Sequence, residues 1–442
     1  MTRAMKDSGV AWIGEIPEGW GILRLKSLFS FGKGLPITKD NLEETGIPVI
    51  SYGQIHSKTN SGVRLQDELF RFVNPSYIET NPESLVHSGD IIVADTSEDT
   101  DGCGNCSHVD RDMQLFAGYH TIILKANSSD DNKYIAYLMK TDPWRSQIRS
   151  KVSGVKVFSI SRKILADTML ICPPIAEQYH ITAFLDRRCA EIDRVIVATQ
   201  RTIEEYKKLK QSIITEAVTR GVRGLRKMKD SGVEWIGEIP EEWEVTKTKS
   251  LASRIVVGVV IKPADHFSEN GTVPFLRGIN VKEYTINSEP MVYITQETNQ
   301  MLSKSIVHTD DLLIVRDGSI GTACVVPDEY DGANVVSMII VTCEKGISPQ
   351  FVCYSLNSDV GKTQFNITKI GTALTHTSVQ SVSNILHIVP PFAEQMEIVK
   401  YLENRCAEID RLIEAKQQLL TQLEAYKKSV IYEYVTGKWE VV

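Results

Sequence analysis

Polar side chains of the types that contact DNA recur in the loops of two long, dissimilar segments, residues 21–172 and 244–389. Arginine pairs bidentately with guanine, and asparagine and glutamine pair with adenine, whereas lysine and hydroxyl groups commonly hold phosphates. Any one of these side chains is more often an ordinary loop residue, so the prediction depends on the two sets together. The DNA-contacting candidates are Tyr52, Gln54, His56, Lys58, Thr96, Ser97, Lys151, Ser153 and Lys156 in the first segment, and Arg277, Asn280, Lys282, Arg316, Ser319, Lys369, Thr372 and His376 in the second.

The sequence patterns of catalytic and metal sites are incomplete. Phe31-Gly-Lys-Gly lacks the spacing of a phosphate-binding loop. Asn74-Pro-Ser-Tyr approaches the Asn-Pro-Pro-Tyr signature of amino methyltransferases, but it lacks the second proline and a glycine-rich turn for the methyl donor, so we predict a turn. Cys103 and Cys106, with His108 nearby, have the spacing of half a zinc site, whereas a structural zinc usually takes four ligands, so a surface turn is favoured. We therefore predict no catalytic residue, metal or cofactor on this chain.

The elements that position these loops come from a tandem duplication. Residues 5–20 read MKDSGVAWIGEIPEGW and residues 228–243 read MKDSGVEWIGEIPEEW, with fourteen of sixteen positions identical. A second repeated stretch begins with PPIAEQ at Pro173 and PPFAEQ at Pro390, includes CAEIDR at Cys189 and Cys406, and runs without a gap at an offset of 217. The chain therefore has the order arm, variable segment, helix, arm, variable segment, helix.

The stretch after each Pro-Pro pair predicts a long helix. Glu177 falls in the first turn, where the helix dipole favours an acid, and Gly221 is the expected C-cap of the first helix. An apolar repeat of seven over four heptads is typical of a coiled coil, and the duplication favours packing of the two helices on each other. The predicted packing positions are Leu185, Ile192, Tyr206 and Ile213 in the first helix, and Leu402, Ile409, Leu423 and Val430 in the second.

Further helix positions complete this prediction. A second apolar seam is predicted from Val195 and Leu209 with the neighbouring Ile196 and Ile203, and from Leu412 and Leu419 with Ile413 and Leu420 in the second helix. Both repeated cysteines are assigned to packing on the helix seam. Thr199 and Lys416 occupy one otherwise apolar heptad position, which predicts a polar device that fixes the register of the pair.

The fold class predicted is α/β (α+β), with two recognition domains separated by a pair of long antiparallel helices and related by pseudo-twofold symmetry. Matching strands are expected at residues 47–52 and 273–278, 89–94 and 310–315, and 119–124 and 335–340, each set followed by a helix near 131–139 or 348–357. The arm at residues 228–243 should be ordered, since Trp235, Ile236, Ile239 and Trp243 need burial. The predicted boundaries are 1–172 (arm and first domain), 173–221 (central helix), 222–389 (arm and second domain) and 390–442 (C-terminal helix).

Composition excludes several classes of protein. The longest apolar run, residues 255–261, is far too short to span a membrane, and the N-terminus lacks an apolar signal core. Eight cysteines in 442 residues do not indicate a disulfide framework, so we expect a reducing cytoplasm. The formal charge of −7 argues mildly against a nucleic-acid partner, but residues 175–229 have twelve Lys and Arg against seven Asp and Glu, so positive charge is locally concentrated.

The WIGEIPEGW arm, the PPxAEQ helix start, the CAEIDR heptads and the closing VTG together resemble the specificity subunits of type I restriction–modification enzymes, over essentially the whole chain. The resemblance implies two α/β target-recognition domains, each reading one half of a bipartite site in double-stranded DNA, with two conserved helices setting the gap. It also implies a non-catalytic subunit that recruits two methyltransferase subunits, which use S-adenosylmethionine, and restriction subunits that depend on ATP and Mg²⁺.

The helix length agrees with such a spacer. Residues 190–218, about 29 residues, would extend about 44 Å as a helix, or about 13 base pairs of duplex. Two readers held by this spacer would lie roughly one duplex turn apart. The repeated edges would then form a common surface for identical partner subunits.

Two other functions stay open at this point. The chain could serve a methylation-only complex, which differs from a restriction complex only in its neighbouring subunits. It could also be a scaffold whose variable domains bind protein or glycan, in which case it would lack salt-dependent affinity for duplex DNA. A catalytic methyltransferase is disfavoured by the missing cofactor loop.

Overall fold

The computed structural model describes residues 3–10, 12–57, 60, 62–127, 132–154, 156–260, 262–367 and 376–441. The chain divides into two compact units. Unit 1 comprises Met1–Thr199 and Gln418–Val442, and unit 2 comprises Gln200–Gln417. Both boundaries fall inside long helices, so each unit contains one arm, one variable domain and a segment of each helix.

Unit 1 begins with the arm and continues into the first variable domain. Its strands are β1 (Met5–Asp7), β2 (Glu15–Pro17), β3 (Gly21–Arg24), β4 (Phe29–Lys33), β5 (Ile47–Ile50), β6 (Arg71–Val73), β7 (Leu85–Val86), β8 (Ile91–Ala94), β9 (Thr96–Ser97), β10 (Cys106–His108), β11 (Leu115–Ala117), β12 (Thr121–Ala126), β13 (Phe158–Ser159) and β14 (Met169–Cys172). Its helices are α1 (Leu25–Leu28), α2 (Tyr52–Ile55), α3 (Tyr77–Thr80), α4 (Lys133–Met139), α5 (Asp142–Arg149), α6 (Arg162–Ala166) and the first part of α7 (Ile175–Arg220).

Unit 2 repeats this order. Its strands are β15 (Met228–Asp230), β16 (Glu238–Pro240), β17 (Glu244–Lys247), β18 (Ala252–Val257), β19 (Val273–Leu276), β20 (Val281–Lys282), β21 (Thr285–Ile286), β22 (Tyr293–Ile294), β23 (Leu312–Val315), β24 (Ala323–Val325), β25 (Asn334–Val335), β26 (Met338–Cys343) and β27 (Leu386–Val389). Its helices are α8 (Thr248–Leu251), α9 (Gln296–Met301), α10 (Pro349–Asn357), α11 (Asp359–Ile367), α12 (Val379–Ser383) and the first part of α13 (Phe392–Val435).

The two variable domains share one sheet scaffold. In unit 1 a four-stranded antiparallel sheet has the order β10-β8-β12-β4, and in unit 2 the corresponding sheet has the order β24-β23-β26-β18. A second sheet contains a parallel pair in each unit, β5 with β11 and β19 with β25. This result confirms the common mixed fold and the first two predicted strand matches. The third is one residue out of register, because β12 begins at Thr121 and its counterpart β26 at Met338.

The central strands are buried on both faces, which explains their unbroken apolar sequences. All four residues of β8 are buried. Ile91 and Val93 pack in a core with α4, and Ile92 and Ala94 pack in a separate core with β11. Because successive strand residues face opposite sides, each strand contributes to two apolar layers. The strand therefore has little freedom to shift its register.

The long helices pack antiparallel within each unit, with equivalent contacts. In unit 1 the Lys427 ammonium lies 2.7 Å from the Asp193 carboxylate, and in unit 2 Lys210 lies 2.7 Å from Asp410. These pairs occupy the same two repeat positions, 217 residues apart. Leu185, Ile192, Leu402, Ile409 and Val430 are buried on the seam, as are Cys189 and Cys406, while Tyr206, Ile213 and Leu423 are half-buried.

The predicted second seam is covered only in part. Ile203 is buried and Ile196, Ile413, Leu419 and Leu420 are half-buried, whereas Val195, Leu209 and Leu412 are each 47% exposed. Within the described part of the chain, Thr199 makes no polar contact with the other helix that would fix the register, because its hydroxyl donates to the Val195 carbonyl of its own helix at 2.8 Å. A helix that packs against one neighbour buries a single stripe, and the lysine–aspartate pairs provide the polar contacts between the helices.

Each arm is fastened to the start of a long helix by an indole, a carboxylate and a guanidinium. Trp20 donates its indole N–H to Glu177 at 2.9 Å, and Arg3 pairs with the same carboxylate. In unit 2, Trp243 donates to Glu394 at 3.1 Å, and Arg226 pairs with that carboxylate. Both tryptophans are buried, as predicted for Trp243. Trp235, in contrast to its prediction, is 39% exposed because it lies in the turn that joins β15 and β16.

Electrostatics explains why the carboxylate remains charged in this contact. Burial would raise the pKa of Glu394, but hydrogen bonds from Arg226 and Trp243 outweigh it and lower the pKa below its usual value. Its position in the first turn of α13 adds the favourable field of the helix N-terminus.

A buried histidine makes the stability of unit 2 depend on pH. His387 on β27 lies between the hydroxyl groups of Thr248 and Ser355, at 3.0 and 2.9 Å. Burial lowers its pKa to about 4. Since the pKa of an unfolded histidine is about 6.5, the unfolded state takes up the proton first, and stability falls as the pH drops below about 6.5.

We expect urea unfolding of unit 2 to lose about 2 kcal/mol between pH 7 and pH 5 through this residue. His387→Gln, which cannot titrate but can still hydrogen-bond, should remove most of this pH-dependent loss. His266→Gln, at a half-exposed histidine of the same unit, is the control and should retain the loss assigned to His387. An equal pH dependence in wild type and His387→Gln would contradict this assignment.

Candidate nucleic-acid interface

The first group of candidate residues lies where strands of unit 1 end. Tyr52 follows β5, Thr96 follows β8, and His120 immediately precedes β12. Because β8 and β12 are antiparallel and Ala94 pairs with Thr121, the end of one strand meets the start of the other. These three side chains therefore share one edge of the domain.

Aromatic rings form the centre of this edge. The Tyr52 ring centroid lies 5.7 Å from Tyr119, 5.3 Å from His120 and 6.2 Å from His56, all edge to face. The ring of His56 is held at both nitrogens, with Nε2 2.8 Å from the Thr96 carbonyl and Nδ1 3.0 Å from the Asn105 amide. With these partners, Nε2–H donates to the Thr96 carbonyl and Nδ1 accepts from the Asn105 amide. We name Tyr52, His56, Thr96, Tyr119 and His120 loop cluster 1.

The segment before β13 joins this edge. Phe158 and Ser159 pair with Ser97 and Thr96, and the Ile160 amide donates to the Asp95 carbonyl at 2.7 Å. The candidates Lys151, Ser153 and Lys156 are exposed in this segment.

Other side chains predicted to contact DNA instead make hydrogen bonds within their own loops. The Gln54 carbonyl oxygen accepts from the Ser51 amide at 3.0 Å, which caps α2. Ser97 is buried, and its hydroxyl accepts from the Asp99 amide. Lys58 lies outside the described residues.

A cavity of about 550 Å³ opens beside loop cluster 1. It is lined by Tyr52, Gly53, His56, Ser97, Glu98, Asp99, Asp101, Gly102 and Asn105. The lining combines an aromatic wall with hydrogen-bond acceptors, which suits contact with the edges of bases rather than with phosphates.

Unit 2 brings its candidates together by the same backbone contacts. Asp317 pairs with His376, and the Thr377 amide donates to the Arg316 carbonyl at 3.1 Å. These contacts repeat those of Thr96 with Ser159 and of Asp95 with Ile160. We name Arg316, Asp317, Ser319, Ser337 and His376 loop cluster 2. Lys369 and Thr372 lie outside the described residues.

A strained backbone position recurs beside both clusters. His120 has φ of 54° and Ser337 has φ of 50°, in each case one residue before the central strand β12 or β26. Side-chain-bearing residues seldom adopt positive φ, and such strain is concentrated at functional positions. The sequence interpretation missed Tyr119, His120 and Asn105, because no residue pattern signals a left-handed histidine or a histidine–amide contact across a loop.

Asn280, predicted as an exposed reader, is instead buried. Its side-chain oxygen accepts from the Arg277 amide at 3.0 Å, and its amide nitrogen donates to the carbonyls of Asn287 and Pro290 at 3.0 and 3.1 Å. Arg277 donates to the same Pro290 carbonyl at 2.7 Å. Asn280 therefore holds this loop in shape, while Lys282 is exposed on β20.

The motifs considered for chemistry have structural roles. Asn74 forms the predicted turn, with its side chain accepting from the Ser76 amide at 3.0 Å. Cys103 and Cys106 are buried in the core rather than in a surface turn, and burial raises the pKa of Cys106. Within the described ranges, no group of three or more His, Cys, Asp or Glu side chains is arranged to hold a metal ion. No helix among these residues is long and apolar enough to cross a membrane.

Comparison with known proteins agrees with the paired geometry. The family described as the type I restriction modification DNA specificity domain matches residues 17–204 and again residues 240–425. The chain belongs to this family. The two matches correspond to the two variable domains and their helices, and confirm the resemblance inferred from the arm and helix motifs.

Relatives in this family align with nearly the whole chain. The type I restriction enzyme MjaVIII specificity subunit of Methanocaldococcus jannaschii is 26% identical, covering 96% of this chain and 94% of its own. The type I restriction enzyme EcoKI specificity subunit of Escherichia coli K12 is 20% identical, covering 96% of this chain and 90% of its own.

Solved structures confirm the fold. A chain from a structure titled for the assembly and conformational transition of the type I R-M system superposes with a TM-score of 0.72, at 16% identity, over 96% of this chain and 99% of that one. The crystal structure of the HsdS subunit from Thermoanaerobacter tengcongensis gives a TM-score of 0.50 at 16% identity, over 96% and 98% of the two chains.

The buried amide of Asn280 gives a stability prediction. Asn280→Ala removes three hydrogen bonds and leaves the Arg277 amide and the Asn287 carbonyl without this partner, so it should destabilise unit 2 by about 2 to 3 kcal/mol. Lys282→Ala, at an exposed neighbour, is the control and should change stability by less than about 0.5 kcal/mol. Urea unfolding of both variants checks this, and a near-neutral Asn280→Ala would show that the loop does not depend on the amide.

Proposed function

We propose that the chain is the DNA-sequence-reading subunit of a type I restriction–modification complex, in which each unit reads one half of a bipartite site. The observation that supports this most is the pair of loop clusters. Equivalent strand ends present Asp95, Thr96 and His120 in unit 1 but Arg316, Asp317 and Ser337 in unit 2. The scaffold is the same while the hydrogen-bonding groups differ, which is the arrangement needed for two readers with different targets.

The same proposal assigns the catalytic chemistry to partner subunits. Methyl transfer from S-adenosylmethionine and the ATP- and Mg²⁺-dependent steps of restriction would occur on those chains, in the cytoplasm. The long helices would set the distance between half-sites and dock two methyltransferase subunits.

A duplicated apolar surface supports the docking of two identical partners. The following side chains are all between 44% and 50% exposed: Ile175, Tyr179, Val195 and Tyr426 in unit 1, and Phe392, Met396, Leu412 and Leu209 in unit 2. The two sets occupy the same repeat positions. We call each set the exposed stripe of its unit. Large apolar side chains left in water at matching positions are typical of a surface that a partner covers, here once in each unit.

Exchange of one reader tests the modular part of the proposal. Replacing residues 21–172 by the corresponding segment of another family member should change one half of the methylated sequence and leave the other half intact. The measurement is the methylation pattern of DNA in cells that contain the hybrid and its methyltransferase. A hybrid that alters both halves, or neither, would refute independent reading.

Arg316 provides a sharper test within unit 2. If its guanidinium pairs with a guanine, Arg316→Ala should cost about 1 to 3 kcal/mol, or roughly tenfold to a hundredfold, at one base position only. Lys282→Ala is the matched control; as a phosphate contact it should weaken all sequences alike and reduce the salt dependence of binding. Binding titrations over single-base variants of the site distinguish the two effects, and uniform weakening by Arg316→Ala would contradict base reading.

A further inference from the structure

A groove on the helix surface distinguishes unit 1 from unit 2. It has a volume of about 580 Å³, and it is lined by Phe184, Arg187, Arg188, Glu191, Tyr426, Val430, Glu433, Tyr434 and Trp439, with Arg188 paired to Glu191. We call it the aromatic–arginine groove. Trp439 is 61% exposed, so much of an indole stands in water.

The walls of the groove are held in place by stacking contacts. The rings of Phe184 and Tyr434 lie 4.2 Å apart. Arg187 lies over Phe184 at 5.9 Å, and Arg188 lies over Tyr426 at 5.8 Å while donating to its hydroxyl at 3.1 Å. A guanidinium fixed against a ring loses little further freedom when it binds a planar acid.

The repeat makes a direct comparison possible at an offset of 217. Tyr426 and Tyr434 correspond to Leu209 and Ala217, and Arg187 corresponds to Asn404, while Trp439 lies beyond Thr436, where the gapless repeat ends. Arg188, Glu191 and Glu433 are identical to Arg405, Glu408 and Glu216, and Phe184 corresponds to Tyr401. Unit 2 thus keeps an apolar surface at these positions but lacks the tyrosine–tryptophan–arginine set.

The residues of the groove indicate a protein partner. Tryptophan, tyrosine and arginine are the residue types that dominate binding energy at protein interfaces. The groove is also continuous with the exposed stripe of unit 1, because Tyr426 belongs to both. Among the described residues Arg187 has no carboxylate partner. Its guanidinium, beside the Phe184 ring, is therefore available to pair with an acidic group of a bound partner.

We propose that this groove is an additional contact for the methyltransferase subunit that docks on unit 1, so that the two copies of that partner bind unequally. This inference rests on the proposed docking of two such subunits. The partner segment that fits has an apolar or aromatic side chain, which fills the groove beside Trp439, next to a carboxylate that pairs with Arg187. The copy on unit 2 lacks this contact and binds more weakly.

Titration of the full-length chain with its purified methyltransferase subunit, followed by native mass spectrometry, tests the inference. The wild-type chain should bind its first copy at least about tenfold more tightly than its second, beyond the statistical factor for two equal sites, since one interface hot spot contributes that much. The double variant Tyr426→Leu, Trp439→Ala installs the unit 2 residue at the first position and removes the exposed indole at the second, and it should bring the intrinsic affinities within about threefold.

A matched substitution in the other unit should have the opposite effect. Leu209→Ala removes an apolar group from the exposed stripe of unit 2 alone, so it should weaken the second copy and widen the difference. All the substituted side chains except that of Trp439 lie on helix surfaces, and equal thermal midpoints of the variants verify that folding is intact.

The outcomes separate the inference from the proposed function. Equal intrinsic affinities in the wild type, or an unchanged ratio in the double variant, would overturn the groove assignment while leaving two docking sites. Failure of any methyltransferase subunit to bind would overturn the docking proposal itself, and the groove assignment with it.

Discussion

The contact among an indole, a carboxylate and a guanidinium at the start of each long helix is the constraint on which each unit depends. A carboxylate that is almost fully buried, as Glu394 is, persists only when its charge is compensated, and Arg226 and Trp243 provide that compensation. Removing either partner would leave a buried charge without its hydrogen bond. The contact therefore fixes the arm and the first turn of the helix as one piece, and β17 and β27, which flank it in sequence, pair with each other beside it.

Once that frame is fixed, the loops are free to differ. At the end of β8 the Ala94 amide donates to the Asn105 carbonyl, and at the end of β23 the Val315 amide donates in the same way to the Thr322 carbonyl. The loop between these points is longer in unit 1, yet the strands around it keep the same pairing. Lengthening a surface loop costs little free energy. The strands pair through backbone N–H and C=O groups, which every residue except proline provides in full. Divergence of the readers is therefore compatible with one fold.

Much of the architecture could be predicted from sequence because it depends on periodic or repeated features. Heptads and Pro-Pro pairs indicated both long helices, and paired apolar runs indicated the central strands. Part of the second seam was wrong because an apolar residue at helical spacing does not reveal whether a neighbour covers it, as Val195 and Leu412 show. The same reasoning applies to Trp235 in the turn of its hairpin.

The candidate site was harder to predict, for a different reason. Residue type identified Tyr52, His56 and Arg316 but could not tell an exposed amide from one that ties a loop together, as Asn280 does. Tyr119 and His120 join loop cluster 1 through a left-handed backbone at His120 and through strand pairing far apart in sequence. Such geometry follows from tertiary contacts, which local sequence does not encode.

The noncontiguous make-up of unit 1 has a consequence for biosynthesis. Unit 2 is one continuous stretch, so all of its residues have been translated before the ribosome reaches residue 418. Unit 1 needs the end of the chain, because the Tyr134 hydroxyl donates to the Val435 carbonyl at 2.7 Å and a Cβ at Gly437 would lie only 2.6 Å from the Pro17 ring. The domain made first is thus completed last, and its core stays partly open during elongation. A nascent chain cut short between residue 418 and the end of α13 would contain all of unit 2 but only part of unit 1.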